Sequence, residues 1–369
     1  MRSSLLASIF FLFCSPNKCD VSCRNNRNET VDWFAVYKLP KRAHSSDRKL
    51  KEGKAFDYLD SGRTYWRRNE RSVNDSRQPL SYTVGQIYEN KSLQYIIYND
   101  QPPPSAEGRP AIGCGHTKGL VIFDEKTAIW IVHSIPHFPP DPSLSTRYAY
   151  PRSGCRFGQN LLCMNVDRSQ LPSVIEQLWY NEANVYASNI KPNYLDIKYL
   201  YEVVHNKYPA YRSSCERVAD ISGFKTFAKS KCFGDDLYSG LVASTLTSDL
   251  LVNTWQLEKK SDVLESNCSA KYSVKNVKGL KVNNDNFNNT SDHSKWAVND
   301  DDSRQSTEYW TCIGDINRDK SQFRRGGGTV CRRSYALHKA YRQSIKRIEK
   351  CTEKTGTKKR VYCANNNTT

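Results

Sequence analysis

The chain has 369 residues, of which 38% are hydrophobic and 11% aromatic, a composition that excludes a disordered or low-complexity protein and allows a substantial core. Lysine and arginine number 55 against 38 acidic residues, a formal net charge of +17. Such a surplus favours a polyanionic partner, nucleic acid, heparin-like glycan or anionic lipid, although charge alone also serves solubility.

The first residues, MRSSLLASIFFLFCSPNKC, carry one positive charge, an apolar run from Leu5 to Cys14 and then small and polar residues. This is the pattern of a secretory signal over residues 1–22, with cleavage between 16 and 22. The run is too short to span a bilayer, and no later stretch approaches the roughly 18–20 apolar residues that a span needs. The expectation is a mature protein outside the cytosol. The 13 cysteines fit that compartment and read as structural disulfides. Zinc is disfavoured, because no C-x-x-C pair has a matching second pair. Eight N-x-S/T sequons are present, and Asn28, Asn74, Asn90, Asn267 and Asn289 are taken as the glycosylation sites, with an exposed Asn-rich loop expected around 283–291.

VDWFAVYKLP, Val31 to Pro40, reads as a strand ended by proline. Residues 42–78 read as long surface structure around a short hydrophobic FDYLD. LQYIIYND follows, then the turn DQPPPSAEG, then GLVIFD and AIWIVHSIPHFPP, joined by EKT as a hairpin. After an irregular stretch, Ser173–Tyr180 and Ser239–Trp255 are the helix candidates, the second with Leu241, Val242, Leu246, Leu250 and Leu251 at helix-like spacing. WTCIGDIN reads as a strand, RRGGGTVC as a glycine-rich turn entering a strand, and 334–350 as a basic terminal helix. Two halves result, 23–170 and 171–352, followed by a basic, Asn-rich tail at 353–369.

Each half carries one H-x-K: His116 with Lys118, and His293 with Lys295. On a strand, residues i and i+2 share a face. Two such pairs brought together place two imidazoles and two ammonium groups around one space, which is favourable only around a strongly anionic group such as a phosphodiester. One neutral imidazole can then attack phosphorus while the other, protonated, serves the leaving oxygen and the lysines hold the nonbridging oxygens. A single H-x-K is more often an exposed strand pair, and it is the second copy that gives the chemical reading weight. One strand beyond each H-x-K lies a polar turn, HSIPHF from His133 and GDIN from Gly314.

The ordered motifs GHTKG, VHSIPHFPP, FGDDLYSG, DHSKW, TCIGDINR and RRGGGTVC, with VDWFAVYKLP and YNDQPP before them, resemble those of animal deoxyribonuclease II. The resemblance runs from about Cys23 to Cys351 and is weakest at 42–80, 164–212 and beyond 352. That family is similar to the phospholipase D superfamily, so the resemblance implies an α/β fold with mixed sheets (α+β) and two pseudo-symmetric halves forming one active site. It implies His293, His116, Lys295 and Lys118 as catalytic residues, without settling which histidine attacks. His133 and Asn317 match family motifs, and bind the phosphate, orient the imidazoles or serve the structure; Arg324 and Arg325 are placed facing DNA. No metal and no cofactor are implied. Asp235 and Asp236 read as a turn and helix start, and RRGGGT lacks the spacing of a phosphate-binding P-loop. The same resemblance suggests disulfides Cys23–Cys163, Cys268–Cys351 and Cys312–Cys331. The implied activity is an acid endonuclease, secreted or lysosomal, cutting double-stranded DNA to 3′-phosphate and 5′-hydroxyl ends; a homodimer stays open. The alternatives are an inactive member that binds extracellular DNA or another polyanion, and a phosphodiesterase acting on RNA or lipid.

Overall fold

The computed structural model describes residues 20–104, 113–256, 262–300 and 308–351. Residues 1–19 of the expected signal segment, the 353–369 tail and the sequons at Asn366 and Asn367 lie outside the described residues, and no described helix is long and apolar enough to cross a membrane.

Eight strands form the first sheet: β1 (Trp33–Lys38), β2 (Phe56–Asp60), β3 (Arg67–Arg68), β4 (Gln94–Asn99), β5 (Lys118–Phe123), β6 (Thr127–His133), β7 (Gln159–Asp167) and β8 (Val185–Asn189), in the order β3-β2-β1-β7-β6-β5-β4-β8. Its last strand thus comes from beyond residue 170. The second sheet contains β9 (Glu216–Ile221), β10 (Phe224–Lys229), β11 (Leu250–Asn253), β12 (Val274–Val282), β13 (Asp285–Asn288), β14 (Lys295–Asn299), β15 (Trp310–Gly314) and β16 (Gly327–Arg333), ordered β13-β12-β11-β14-β15-β16-β10-β9, with β17 (Ile345–Ile348) on β12.

The two sheets repeat one topology. In the first, β1, β7, β6, β5 and β4 are successive antiparallel neighbours; in the second, β10, β16, β15, β14 and β11 are. The helices fall at matching places: α2 (Pro79–Glu89) before β4 and the helical turn running into α5 (Ala243–Leu246) before β11, then α3 (Leu171–Tyr180) after β7 and α6 (Tyr335–Gln343) after β16. Short α1 (Arg48–Glu52) and α4 (Leu200–Val204) complete the helices named here.

Period-two patterning explains the layers. Along β1, Trp33, Ala35 and Tyr37 enter a central core that also holds Trp296, Ile313 and Val330 of the second sheet, whereas Phe34 and Val36 face an outer core under Leu80, Val84 and Ile87 of α2. A third cluster lies beneath Leu241, Val242 and Leu246 on the far face of the second sheet. The sheets therefore pack face to face, each with a helix on its outer side.

Three elements differ from the sequence reading. FDYLD is buried throughout, as an internal strand paired with β1. The helix expected over Ser239–Trp255 ends at Leu246, where Thr247 turns left-handed, and Leu250–Asn253 becomes β11 between β12 and β14. Leu250 and Val252 face one core and Leu251 the other, so a strand buried on both sides loses its alternation and mimics a helix in sequence. Likewise the terminal helix stops at Gln343, and Ile345–Ile348 pairs with β12.

Disulfides join Cys23–Cys163, Cys268–Cys351 and Cys312–Cys331, and a fourth, Cys215–Cys232, closes the β9–β10 hairpin. Cys114 and Cys155 are free thiols. Of the overlapping sequons at 288 and 289, Asn288 is exposed and Asn289, the one expected to be glycosylated, is buried.

Candidate active site

Both lysines of the H-x-K pairs open their strands, β5 and β14, and both histidines sit two residues earlier on the entering loop. Each histidine is braced by the opposite half. The His116 backbone N–H donates to Gly326 O at 2.8 Å, immediately before β16, and the His293 N–H donates to Gly158 O at 2.8 Å, immediately before β7. Since β7 and β16 are equivalent strands, the two contacts are one interaction repeated about a pseudo-twofold. The approach is too close for side chains: a Cβ on Gly326 would lie 2.2 Å from Asn181 O, and one on Gly158 would lie 2.2 Å from Asp292 Oδ1.

The middle residue of each H-x-K is a hydroxyl that donates to a buried carboxylate, Thr117 to Asp315 and Ser294 to Asp292 at 2.6 Å. Asp292 also accepts from Tyr37 at 2.6 Å and Asn253 at 2.9 Å, while Asp315 accepts from the backbone N–H groups of Lys118 and Gly328. Burial pushes the Asp315 carboxyl up to about 6. Asn160 pairs with the Lys295 backbone through both ends of its amide. Of these contacts, Thr117 and Lys118 to Asp315, Tyr37 to Asp292 and Asn160 to Lys295 cross between the halves and fix the start of each strand.

Between them the side chains form a cluster of basic groups that influence one another across the halves. Lys295 Nζ donates to His293 O at 2.6 Å, and burial followed by repulsion from Lys118 lowers its ammonium to about 7. Lys38, at the end of β1, donates to Cys155 O at 2.9 Å and to Phe157 O, and burial lowers it likewise to about 7. Lys118 pairs with Asp100, which also meets Arg325 Nη2 at 3.3 Å and His116 Nε2 at 3.7 Å. Burial pushes the Asp100 carboxyl up, and Lys118, His116 and Arg325 overcome it to hold the group well below the usual carboxylate range.

The imidazoles are held differently. His116 Nδ1 lies 2.6 Å from Gln322 Oε1, and the Gln322 amide nitrogen donates to Ser321 Oγ, so Oε1 accepts from an Nδ1–H and the His116 Nε2 keeps its lone pair. Lys229 fixes that loop by donating to Gln322 O, Phe323 O and Arg325 O. His293 stacks on Phe157 at 4.3 Å and leans on Trp255 at 4.0 Å, and its Nε2 has no hydrogen-bond partner. Burial, then the positive charge of Lys295 and Lys118, holds His293 well below the ordinary imidazole value; burial does the same to His116, against the pull of Asp100. The electrostatic influence runs both ways across the halves, with Lys295 acting on His116 and Lys118 on His293.

Residues 22–351 match the family model for deoxyribonuclease II. The chain belongs to the deoxyribonuclease II family. It is 38% identical over 341 residues to deoxyribonuclease-2-alpha of Sus scrofa, covering 90% of this chain and 91% of that one. It is 38% identical over 345 residues to plancitoxin-1 of Acanthaster planci, covering 90% and 93%, and 33% identical over 368 residues to deoxyribonuclease-2-beta of Homo sapiens, covering 95% and 97%.

Against that family background, the remaining expected residues divide. His133 is fully buried beside the start of β5, its Nδ1 accepting from Ile135 N–H and its edge against Phe138, and burial lowers it to about 3. It lies near enough to Lys118 for that ammonium to lower it further. Asn317 Oδ1 is buried without a hydrogen-bond partner. Arg325 reaches into the site, whereas Arg324 stays exposed at its rim. Asp236 caps the turn at Ser239 and holds Arg318 at 3.1 Å, in keeping with its reading as a helix start. Asp100, Lys38, Gln322, Asn160, Phe157 and Trp255 were not singled out by sequence as site residues; Asp100 lay inside the quoted motif YNDQPP and Lys38 inside VDWFAVYKLP.

Proposed function

We propose that the protein is an acid endodeoxyribonuclease, secreted or lysosomal, that hydrolyses phosphodiesters of double-stranded DNA through a phosphohistidine and leaves 3′-phosphate and 5′-hydroxyl ends. The observation that carries this reading is the reciprocal bracing of the two H-x-K pairs, whose imidazoles and buried ammonium groups act on one another electrostatically across the halves. The Nδ1–H of His116, held by Gln322, supports Nε2 as the nucleophile and His293 as the acid. His116 Nε2 bonds to phosphorus as the P–O5′ bond breaks, and protonated His293 gives its proton to the departing O5′. His293, now neutral, takes a proton from water; the water oxygen bonds to phosphorus as the P–N bond breaks, and the phosphate stays on the 3′ oxygen. Lys118 and Lys295 hold the nonbridging oxygens, supplying charge that a divalent ion supplies in other phosphodiesterases.

The pH dependence follows from the site. Both imidazoles are kept neutral by burial and cationic neighbours, so the nucleophile is always ready and the protonated acid is scarce. Above the pKa of His293 its protonated fraction grows about tenfold for each unit that pH falls. Activity therefore rises toward acid. His293→Ala, purified from the medium and assayed by plasmid nicking at mildly acidic pH with chelator, is expected to bind DNA without cutting it. Nicking at the parent's rate would rule the assignment out, and a parent that binds plasmid yet never nicks it would leave a polyanion-binding protein.

A further inference from the structure

The basic groups of the site are not equally committed in the free protein. Lys295 directs its ammonium to a backbone carbonyl of its own loop, His293 O. Lys118, Arg325 and His116 all converge on one carboxylate, with Lys118 on Asp100 Oδ1 and both Arg325 Nη2 and His116 Nε2 on Oδ2. The 3.7 Å approach of His116 is no hydrogen bond, since the ring proton lies on Nδ1 against Gln322 and Nε2 turns a lone pair toward the carboxylate. A lone pair facing an anion, with a lysine and an arginine on its oxygens, is the geometry expected of a nucleophile before a phosphodiester, where reacting atoms stand about 3–3.5 Å apart.

We propose that Asp100 is an internal occupant of the phosphate subsite, its carboxylate holding in the free protein the place and the cationic partners that a phosphodiester takes on binding. The inference rests on the reading of the H-x-K cations as the phosphate clamp. Among the described residues, every side-chain partner of the carboxylate belongs to that clamp, and no backbone N–H donates to it. The backbone, by contrast, is tied down. Asp100 N–H donates to Thr117 O at 3.2 Å, the Asn99 amide donates to Ile135 O at 3.0 Å and Phe138 O at 3.1 Å, and Gln101 N–H returns to Asn99 Oδ1 at 2.9 Å. Release is thus a side-chain swing about a fixed backbone. Because its neighbours keep Asp100 ionised into the acid range, the exchange is a competition between two anions and not a protonation. An anion that engages only the first H-x-K gains little over Asp100. A phosphodiester that bridges Lys118 and Lys295 gains the second ammonium as well, so the carboxylate discriminates against small anions.

The test uses the full-length secreted protein, with inorganic phosphate as the probe at fixed ionic strength and mildly acidic pH. Asp100→Asn, and Asp100→Ser as a smaller second variant, are expected to tighten phosphate binding at least tenfold by calorimetry. They should also melt lower than the parent without phosphate and recover more when it is added. Unchanged or weaker phosphate binding by the substituted protein overturns the proposal. A crystal structure of the parent with phosphate is the independent measurement. It is expected to show the Asp100 carboxylate turned off Lys118, and phosphate seated at the H-x-K pairs with the Asp100 contacts intact overturns the idea. Lys118→Gln separates the two layers: if it leaves phosphate binding unchanged, the clamp reading itself has failed; if it abolishes binding while Asp100→Asn does not tighten it, only the occupancy proposal has.

Discussion

Replacing Gln322 with glutamate changes one charge against His116 while keeping the shape of the contact. The parent amide accepts from Nδ1 at 2.6 Å in a buried position whose backbone is held by Lys229. A carboxylate there raises the imidazole pKa by about 1–3 units, the usual effect of an opposite charge at this range. The sign is fixed by the nucleophile's need to be neutral. As pH falls, His116 in the glutamate variant protonates earlier, and the acid limb of kcat/KM shifts upward by the same 1–3 units, about tenfold of rate for each unit at a fixed low pH. Gln322→Leu instead leaves the buried Nδ1–H without an acceptor, a cost of about 1–3 kcal/mol, or roughly 5- to 150-fold in kcat if it falls on the attacking conformation. Plasmid nicking by both variants from about pH 3.5 to 7.5 at constant ionic strength reads the two effects apart, over the range in which imidazoles titrate. If the leucine variant cuts at the parental rate and the glutamate profile overlays the parent's, Gln322 does not fix the imidazole and His116 loses its claim to be the nucleophile.

Other substitutions probe the same site through stability. Lys295→Met should abolish nicking yet raise the melting temperature at pH 7 and below. Burial has lowered this ammonium from 10.5 to about 7, so the unfolded chain binds the extra proton across that window and the parent loses stability as pH falls through it; the variant's advantage, read by calorimetry, should vanish as pH rises toward 10.5. Gly158→Ala places a Cβ 2.2 Å from Asp292 Oδ1, beside His293, and is expected to cost about 1–3 kcal/mol and at least tenfold in kcat, whereas Gly62→Ala, whose nearest atom lies 3.5 Å away, should leave both unchanged. Converting Cys215 and Cys232 together to serine opens a loop of 17 residues and should lower stability by about 3 kcal/mol in chemical denaturation.

Sequence exposed the parts of this molecule that local rules govern. The Lys118–Phe123 and Thr127–His133 hairpin and the strand ending at Lys38 follow from alternation and turn residues, and the repeated H-x-K named four of the cationic and imidazole groups. What it could not expose comes from packing one sheet on the other. Lys38 is a strand lysine like many others until the fold sets its ammonium on Cys155 O and Phe157 O. Gln322 lies 206 residues from His116, and no spacing relates an amide in one loop to an imidazole in another. The apolar run Leu250–Val252 was misread for a related reason, since its two faces meet different cores and only the sheet order shows it.

The reciprocal braces also explain why the motif must occur twice in one chain. Neither half can complete its own histidine loop: the His116 N–H needs Gly326 O, the His293 N–H needs Gly158 O, and Thr117 needs the Asp315 carboxylate from across the interface. A half on its own would open these groups to water, leaving the histidine loop without the carbonyl that fixes it and the lysine without the burial that lowers its ammonium. The contacts that set the histidines are therefore the contacts that hold the sheets together. Loosening either glycine contact should misplace the histidine of the opposite half before it unfolds the half in which the substitution lies.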